Sequence, residues 1–354
     1  MKTTKIFLTI LIVLLAMSSC ETYYKVVTTI DKESHTQREV YALADSVFLK
    51  GDQSATPFLF NVNNGWTLTY LDSTVSNKFM GHEMKFNIMA SKEAICLADY
   101  SENGGITGIN RSFFSPVESL TKQFRWFYTY YSFKAVYKKL EAEIPVSIDN
   151  YLTKEEQRLW TQGDIEALKG YNGSEITSIL SDIETKFIDW FHRNCFEVSL
   201  TLINEKSNEN DFSDVDKDQL FNDIRKRENG DDIEPGNVCI ALDQYYKTTR
   251  YSELYKAKKE EFDADFETET SLVNAINIVL CYELNVPYTI LNANTNNVSR
   301  TNIKWKIDGL RLLTNDYTAT ATYRASNIWA FIVTGGVILF TIVGFIAFFR
   351  NRKS

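Results

Sequence analysis

Few residues in this chain have the types and spacing that acid–base or metal chemistry needs. The three histidines, His35, His82 and His192, fall in a hairpin-turn segment, a β segment and a helical segment, and none sits in H-E-x-x-H or beside a cysteine at metal-ligand spacing. His82-Glu83 comes nearest and reads as a surface pair. Asp214-Val215-Asp216-Lys217-Asp218 opens like a calcium loop, but Gln219 stands sixth where the turn needs glycine and Arg225 twelfth where glutamate belongs. It reads instead as the acidic start of a helix, where carboxylates complement the macrodipole. Cys96, Cys195, Cys239 and Cys281 match no disulfide framework by spacing, and Cys281 within Ile278-Val279-Leu280-Cys281-Tyr282 reads as a small buried hydrophobe. No G-x-S-x-G elbow or phosphate-cradling glycine loop is present. These patterns point away from an enzyme and call for no cofactor or metal.

Aromatic residues are the other candidates. Phe124 to Phe133, read as one strand, places Trp126, Tyr128 and Tyr130 on one face and Phe127, Tyr131 and Phe133 on the other. A central strand buried on both faces has this composition. The alternative is an apolar ligand groove lined by Trp126, Tyr128, Tyr130 and Trp305, with tyrosine hydroxyls at its rim.

The two ends bear on compartment. Lys2 and Lys5 precede an apolar run from Ile6 to Ala16, followed by Met17-Ser18-Ser19-Cys20, the order of a secretory signal. The stretch resembles a bacterial lipoprotein signal, which implies removal of residues 1–19 and acylation of Cys20 on its sulfur. Ile328 to Phe349 is 22 residues without a charge, about 33 Å at roughly 1.5 Å per residue and enough to cross a hydrocarbon core. Trp329 flanks one interface and Arg350, Arg352 and Lys353 follow the other, so the positive-inside rule puts residues 350–354 in the cytoplasm and the preceding chain outside. With acyl chains on Cys20 in the same cytoplasmic membrane, the ectodomain would face the periplasm, anchored at both ends.

Between the anchors the chain is acidic. Residues 20–326 carry all 46 acidic residues against 33 basic ones, a net −13, which disfavours nucleic acid and gives no help in holding anionic headgroups. The densest acidic stretch, Glu205 to Glu234, reads as a solvated linker or a docking surface for a basic partner.

Alternation predicts hairpins at Tyr23–Ile30 with a second run through Tyr41, and at Trp66–Leu71 with Lys78–Met89 across Asp72-Ser73-Thr74. Ser101 to Arg111 reads as a glycine-rich loop. From Tyr151 the period changes. Thr153 with Glu156 makes a capping box for a helix ending near Gly163, and Ile176, Ile179, Leu180, Ile183, Phe187, Trp190 and Phe191 recur at helical spacing from Ser174. That helix either continues to Lys206 or gives way to a strand at Phe196–Leu202. Further helices are predicted at Asp214–Glu228, capped by Ser213, at Pro235–Lys247 and at Tyr251–Phe266, and strands at Val273–Asn285, Thr301–Ile307 and Tyr317–Tyr323. The expected architecture is α+β: an antiparallel sheet built from N- and C-terminal strands, a helical insertion at about 151–268, and one C-terminal transmembrane helix.

Cys20, the strand Lys25-Val26-Val27-Thr28-Thr29-Ile30-Asp31, Val286-Pro287-Tyr288 leading to Asn292-Ala293, Lys304-Trp305-Lys306-Ile307 and Tyr317–Tyr323 together resemble LppM-type bacterial lipoproteins over the ends of the chain. The chain is also similar to lipoproteins of Bacteroidota. The first resemblance implies a lipidated cysteine, a periplasmic α/β domain akin to lipid-binding folds and a C-terminal membrane helix, with no catalytic residues to carry over. The expected function is a non-enzymatic, doubly anchored envelope lipoprotein that binds or scaffolds a membrane or periplasmic partner. The alternative is lipid or apolar-ligand binding.

Overall fold

The computed structural model describes residues 22–52, 56–58, 60–62, 65–79, 82–100, 113, 115–140, 145–207, 212, 214–226, 233–270 and 275–352. Ser101–Arg111, Ser213 and Lys353 lie outside these, as do Cys20 and the leader. The fold is mixed α+β, and the chain divides into two compact units.

Among the described residues the first unit holds ten strands. β1 (Thr22–Ile30), β2 (Thr36–Ala42), β3 (Thr67–Phe79) and β4 (His82–Ala94) precede β5 (Val117–Phe124) and β6 (Tyr128–Tyr137). After the helical segment come β7 (Ile278–Asn285), β8 (Thr289–Ala293), β9 (Asn302–Asp308) and β10 (Tyr317–Ser326). They form a mixed six-stranded sheet, β3-β4-β2-β1-β7-β9, and an antiparallel four-stranded sheet, β5-β6-β10-β8. Strands from both ends of the chain thus complete both sheets, as period-2 alternation requires when one face of each must be buried.

The sheets face one another. Phe133 of β6 lies 6.1 Å from the ring of Tyr282 in β7 and 6.0 Å from Trp305 in β9. On β6 the inward residues Thr129, Tyr131, Phe133, Ala135 and Tyr137 are buried while Tyr128 and Tyr130 on the other face are half-buried, so the strand is not buried on both sides.

Two strand boundaries differ from the sequence reading. Asp72-Ser73-Thr74 is not the β3–β4 turn: the chain bulges between Tyr70 and Val75 while continuing in β3, and reversal comes between Phe79 and His82. The aromatic run is likewise broken. β5 ends at Phe124, and Arg125 and Tyr128 exchange backbone hydrogen bonds of 2.8 and 3.1 Å around Trp126-Phe127. A two-residue reversal without Gly, Asn or Asp carries none of the usual turn signature.

Between the sheets lies a charged pair. Arg38 of β2 places Nη2 2.8 and 2.6 Å from the two carboxylate oxygens of Glu118 in β5, and its Nε donates to Thr28 Oγ1 at 3.1 Å. The Tyr282 hydroxyl donates to Glu118 Oε1 at 2.8 Å, and the guanidinium sits 4.1 Å from the centre of the Tyr100 ring. Glu118 is fully buried and Arg38 nearly so. Burial alone would favour the neutral guanidine, but the adjacent carboxylate outweighs it and holds Arg38 charged.

The second unit is built around the helix Gly173–Ser207, with Lys154–Gln162 before it and Lys217–Arg225, Pro235–Tyr246, Arg250–Ala257 and Lys259–Glu269 after it. Thr153 and Glu156 form both bonds of the capping box, and Gly163 closes the short helix at φ 68°. Phe196–Leu202 is helical rather than a strand. Its alternation misled because the helix is buried on most sides there: Ser199 is buried, and Phe196, Leu200 and Ile203 share one core cluster with Phe221, Val238, Leu242 and Phe262. Asp216, whose carboxylate accepts from the Gln219 amide, caps a helix shorter than predicted. Buried Asp243 accepts from the amides of Tyr251 and Ser252 at 2.9 Å each, starting the next helix. That helix stops at Ala257, and a separate one begins at Lys259. Gly309 has no alternative, since a Cβ there would lie 1.8 Å from the Ala275 carbonyl.

Removing one member of a buried ion pair leaves the other charge uncompensated, a loss of about 3–5 kcal/mol. Glu118→Leu should therefore destabilise the β unit by that order, whereas Arg38→Met with Glu118→Leu should recover much of the loss. Thermal unfolding of the three purified proteins in one detergent reads the difference.

Candidate functional site

The end of β10 concentrates the unusual contacts of the molecule. Asn327 alone separates this strand from the helix Ile328–Asn351. Its amide N–H donates to the Phe127 carbonyl at 2.9 Å. Its side-chain Nδ2 donates to the carbonyls of Arg125 and Trp126 at 2.8 and 3.1 Å, and Oδ1 accepts from Thr129 Oγ1 at 3.0 Å. One side chain thereby reaches the Trp126 carbonyl and shares the Arg125 carbonyl with the Tyr128 amide.

The turn reaches past Asn327 along the helix. Trp126 Nε1 donates to Thr334 Oγ1 at 2.8 Å, and its ring meets Trp329 edge-on at 5.1 Å. Phe124 stacks on Trp329 at 6.3 Å, and Phe127 lies 4.8 Å from Phe331. Ala330 is the one helix residue fully buried among those described, and its small side chain lets the turn approach. Trp126 and Trp329 each remain about half exposed, at 47% and 50%. The helix is long and apolar enough to cross a membrane. Arg350 and Arg352 close it, Arg352 lying 5.6 Å from the Phe348 ring.

The four candidate groove residues do not share a surface. Trp305 is fully buried between the sheets, with Nε1 donating to Asn294 Oδ1 at 2.9 Å. Tyr128 and Tyr130 occupy the opposite face of the four-stranded sheet, and Trp126 belongs to the turn. The alternation placed Trp126 in a strand that ends before it. Beside the buried pair is a cavity of about 20 Å³ lined by Arg38, Trp66, Tyr100, Phe113, Tyr137 and Tyr282, among others. That is room for about one water, whereas ligand pockets run to about 300 Å³ or more. The Arg38–Glu118–Tyr282 network had no local sequence signal, because its members come from strands far apart in the chain.

β1 runs away from the far end of the unit and toward this one. Val26 lines the cavity with Tyr137, which pairs with Tyr317 at the start of β10. Thr29 accepts from Asn285 at 3.4 Å. Beyond it, Glu33 lies close enough to Tyr288 to raise its pKa, though burial is the larger cause, and Tyr288 stacks near Tyr131 and Tyr323. Thr22 therefore starts at the end opposite Ile328.

Among the described residues no group of three His, Cys, Asp or Glu could hold a metal. His35 is paired with Asp31 at 3.2 Å, and His192 is buried in the long helix. The four described cysteines, Cys96, Cys195, Cys239 and Cys281, are free. Burial pushes the Cys195 thiol up to about 11 and those of Cys239 and Cys281 to about 12, so all three are unreactive near neutrality. Cys96 is exposed and donates to Asp99 at 3.3 Å.

No family model matches the chain, and no curated protein does. Among solved structures it is similar to the folded domain of LppM from Mycobacterium tuberculosis, determined by NMR, with 7% identity and a TM-score of 0.29 over 87% of this chain and 91% of that one. At that TM-score the likeness is weak and supports no transfer of function.

Asn327→Ala removes an acceptor and two donations from the turn. Hydrogen exchange should accelerate at residues 125–129 and at the first helical turn, with little change at β1 or β2. Unchanged protection at 125–129 would show that the turn holds without the asparagine.

Proposed function

We propose that this chain is a non-enzymatic, membrane-anchored envelope lipoprotein whose β unit is seated on the membrane surface and serves as a binding or scaffolding module. The observation that carries the reading is the clasp: a strand that runs directly into an apolar helix, and a neighbouring hairpin turn bonded to the second turn of that helix. Trp126, Phe124 and Trp329 are the residue types that settle at a membrane–water interface. A helix joined to the ectodomain by a flexible linker would leave its orientation free, whereas the Asn327 and Trp126 bonds fix it. In this reading the helix spans the cytoplasmic membrane, Arg350, Arg352 and Lys353 are cytoplasmic, and both folded units are periplasmic.

β1 begins with Thr22 at the end of the β unit opposite the helix, so the helix and the turn carry the seating.

Two measurements test this. In spheroplasts, Cys96 should react with a membrane-impermeant maleimide, and a Ser354→Cys variant should gain a second label only after permeabilisation. Labelling of Ser354→Cys in sealed spheroplasts, or protection of Cys96 until permeabilisation, would contradict the orientation. Intact mass should show loss of residues 1–19 and an acylated Cys20, and a retained leader would remove the lipoprotein part of the reading.

A further inference from the structure

The β unit's arginines are unevenly placed. Of those described outside the apolar helix and its tail, Arg38 is buried in its ion pair, and Arg125, Arg300 and Arg324 all gather at the end next to that helix. Arg125 lies in the clasped turn, with its carbonyl bonded to Asn327. Arg324 stands in β10 opposite Tyr130 and Thr289. The Arg300 carbonyl accepts from the Ile290 amide at 3.1 Å, and Ile290 pairs with Tyr323.

The side chains of Arg324 and Arg125 are held by rings rather than carboxylates. The Arg324 guanidinium sits 4.3 Å from the centre of the Tyr128 ring and that of Arg125 5.6 Å from Tyr130. Among the described residues none of the three forms an ion pair, in a segment whose net charge is −13. Glu33 approaches this end beside Tyr288, and Asp31, in the same turn after β1, is paired with His35. Planar, weakly hydrated guanidinium groups stacked on tyrosine keep their donors free for a phosphate.

Depth supplies the second argument. With the apolar span starting at Ile328, Arg324 lies two strand residues above Ser326, about 7 Å at roughly 3.3 Å per residue. The headgroup layer is about 5–8 Å thick on each side of the hydrocarbon core. Arg125, level with Asn327, falls in the same layer.

We infer that Arg125, Arg300 and Arg324 form a binding site for the phosphodiester of an anionic phospholipid headgroup in the leaflet that the β unit faces. This rests on the membrane-seated reading above and adds a ligand class to it. The overall acidity of the ectodomain is then no obstacle, because a guanidinium within a Debye length of the phosphate acts locally.

The test uses full-length protein reconstituted in phosphatidylcholine vesicles, with the relative association of spin-labelled phosphatidylglycerol over spin-labelled phosphatidylcholine read by electron spin resonance. Arg350→Gln, Arg352→Gln and Lys353→Gln are introduced first, to remove the competing cationic tail on the other face. This background should retain a preference for phosphatidylglycerol, and each further change, Arg125→Gln, Arg300→Gln or Arg324→Gln, should lower it, by up to about fivefold for a fully engaged arginine. No preference in the tail-neutral background, or a preference that survives the three changes together, would overturn the inference. Inorganic phosphate that abolishes the preference beyond the effect of chloride at equal ionic strength would assign the site to free phosphate instead. Protein that fails to enter the vesicles would refute the membrane reading as well, whereas protein that enters and shows no selectivity would refute only the headgroup site. Circular dichroism matching the parent keeps misfolding from passing for loss of binding.

Discussion

The passage of β10 into the apolar helix through Asn327 is the constraint on which the arrangement of the β unit depends. β10 is an inner strand, paired with β6 on one side and β8 on the other, and Ala319, Ala321 and Tyr323 of its inward face are buried. A helix leaving such a strand cannot reorient without disturbing the sheet. The neighbouring hairpin strengthens the link, because the carbonyls of Trp126 and Phe127 accept from Asn327, which also shares the Arg125 carbonyl with the Tyr128 amide. Aromatic rings that would be a liability in water, Phe124 and Trp126 among them, suit an interface where one side of each ring meets lipid.

The interior between the sheets follows a different logic. Tyr137 and Tyr282 are buried there, and a large ring with a polar end needs a partner when buried. Tyr282 finds one in Glu118, and Glu118 is tolerated because Arg38 neutralises it. Such a network fixes the register of β2, β5 and β7 at once, since a one-residue slip would strand a charge. Among the described residues, the space that remains beside it is about the size of one water.

Much of the architecture was legible in the sequence. The β1–β2 hairpin, the capped helix at Thr153, the helix from Gly173 and the terminal apolar helix each had a local signal, whether alternation, a capping box, helical spacing or an uncharged run. The clasp was half legible. Trp126 and Trp329 stood out by type, but their contact joins residues some two hundred positions apart, and Trp126-Phe127 has none of the residues that mark a turn. β8 was missed because five largely exposed residues carry no alternation strong enough to read. Trp305 was assigned to a surface because strand alternation tells which residues share a face, not which face is covered by a second sheet. The net acidity of the ectodomain likewise hid the local arginines, which only the pairing of β10 with β6 and β8 gathers.

The most direct test of the account is the depth profile of the β unit in a bilayer. Nitroxides placed singly at Gln123, Ser119 and Lys138, in a Cys96→Ser background of the full-length reconstituted protein, can be compared by their accessibility to oxygen and to an aqueous nickel complex. The account predicts an interfacial signature at Gln123, a weaker one at Ser119 and a fully aqueous one at Lys138. Equal aqueous accessibility at all three positions would show that the unit stands clear of the membrane, and would contradict the claim that the clasp seats it there.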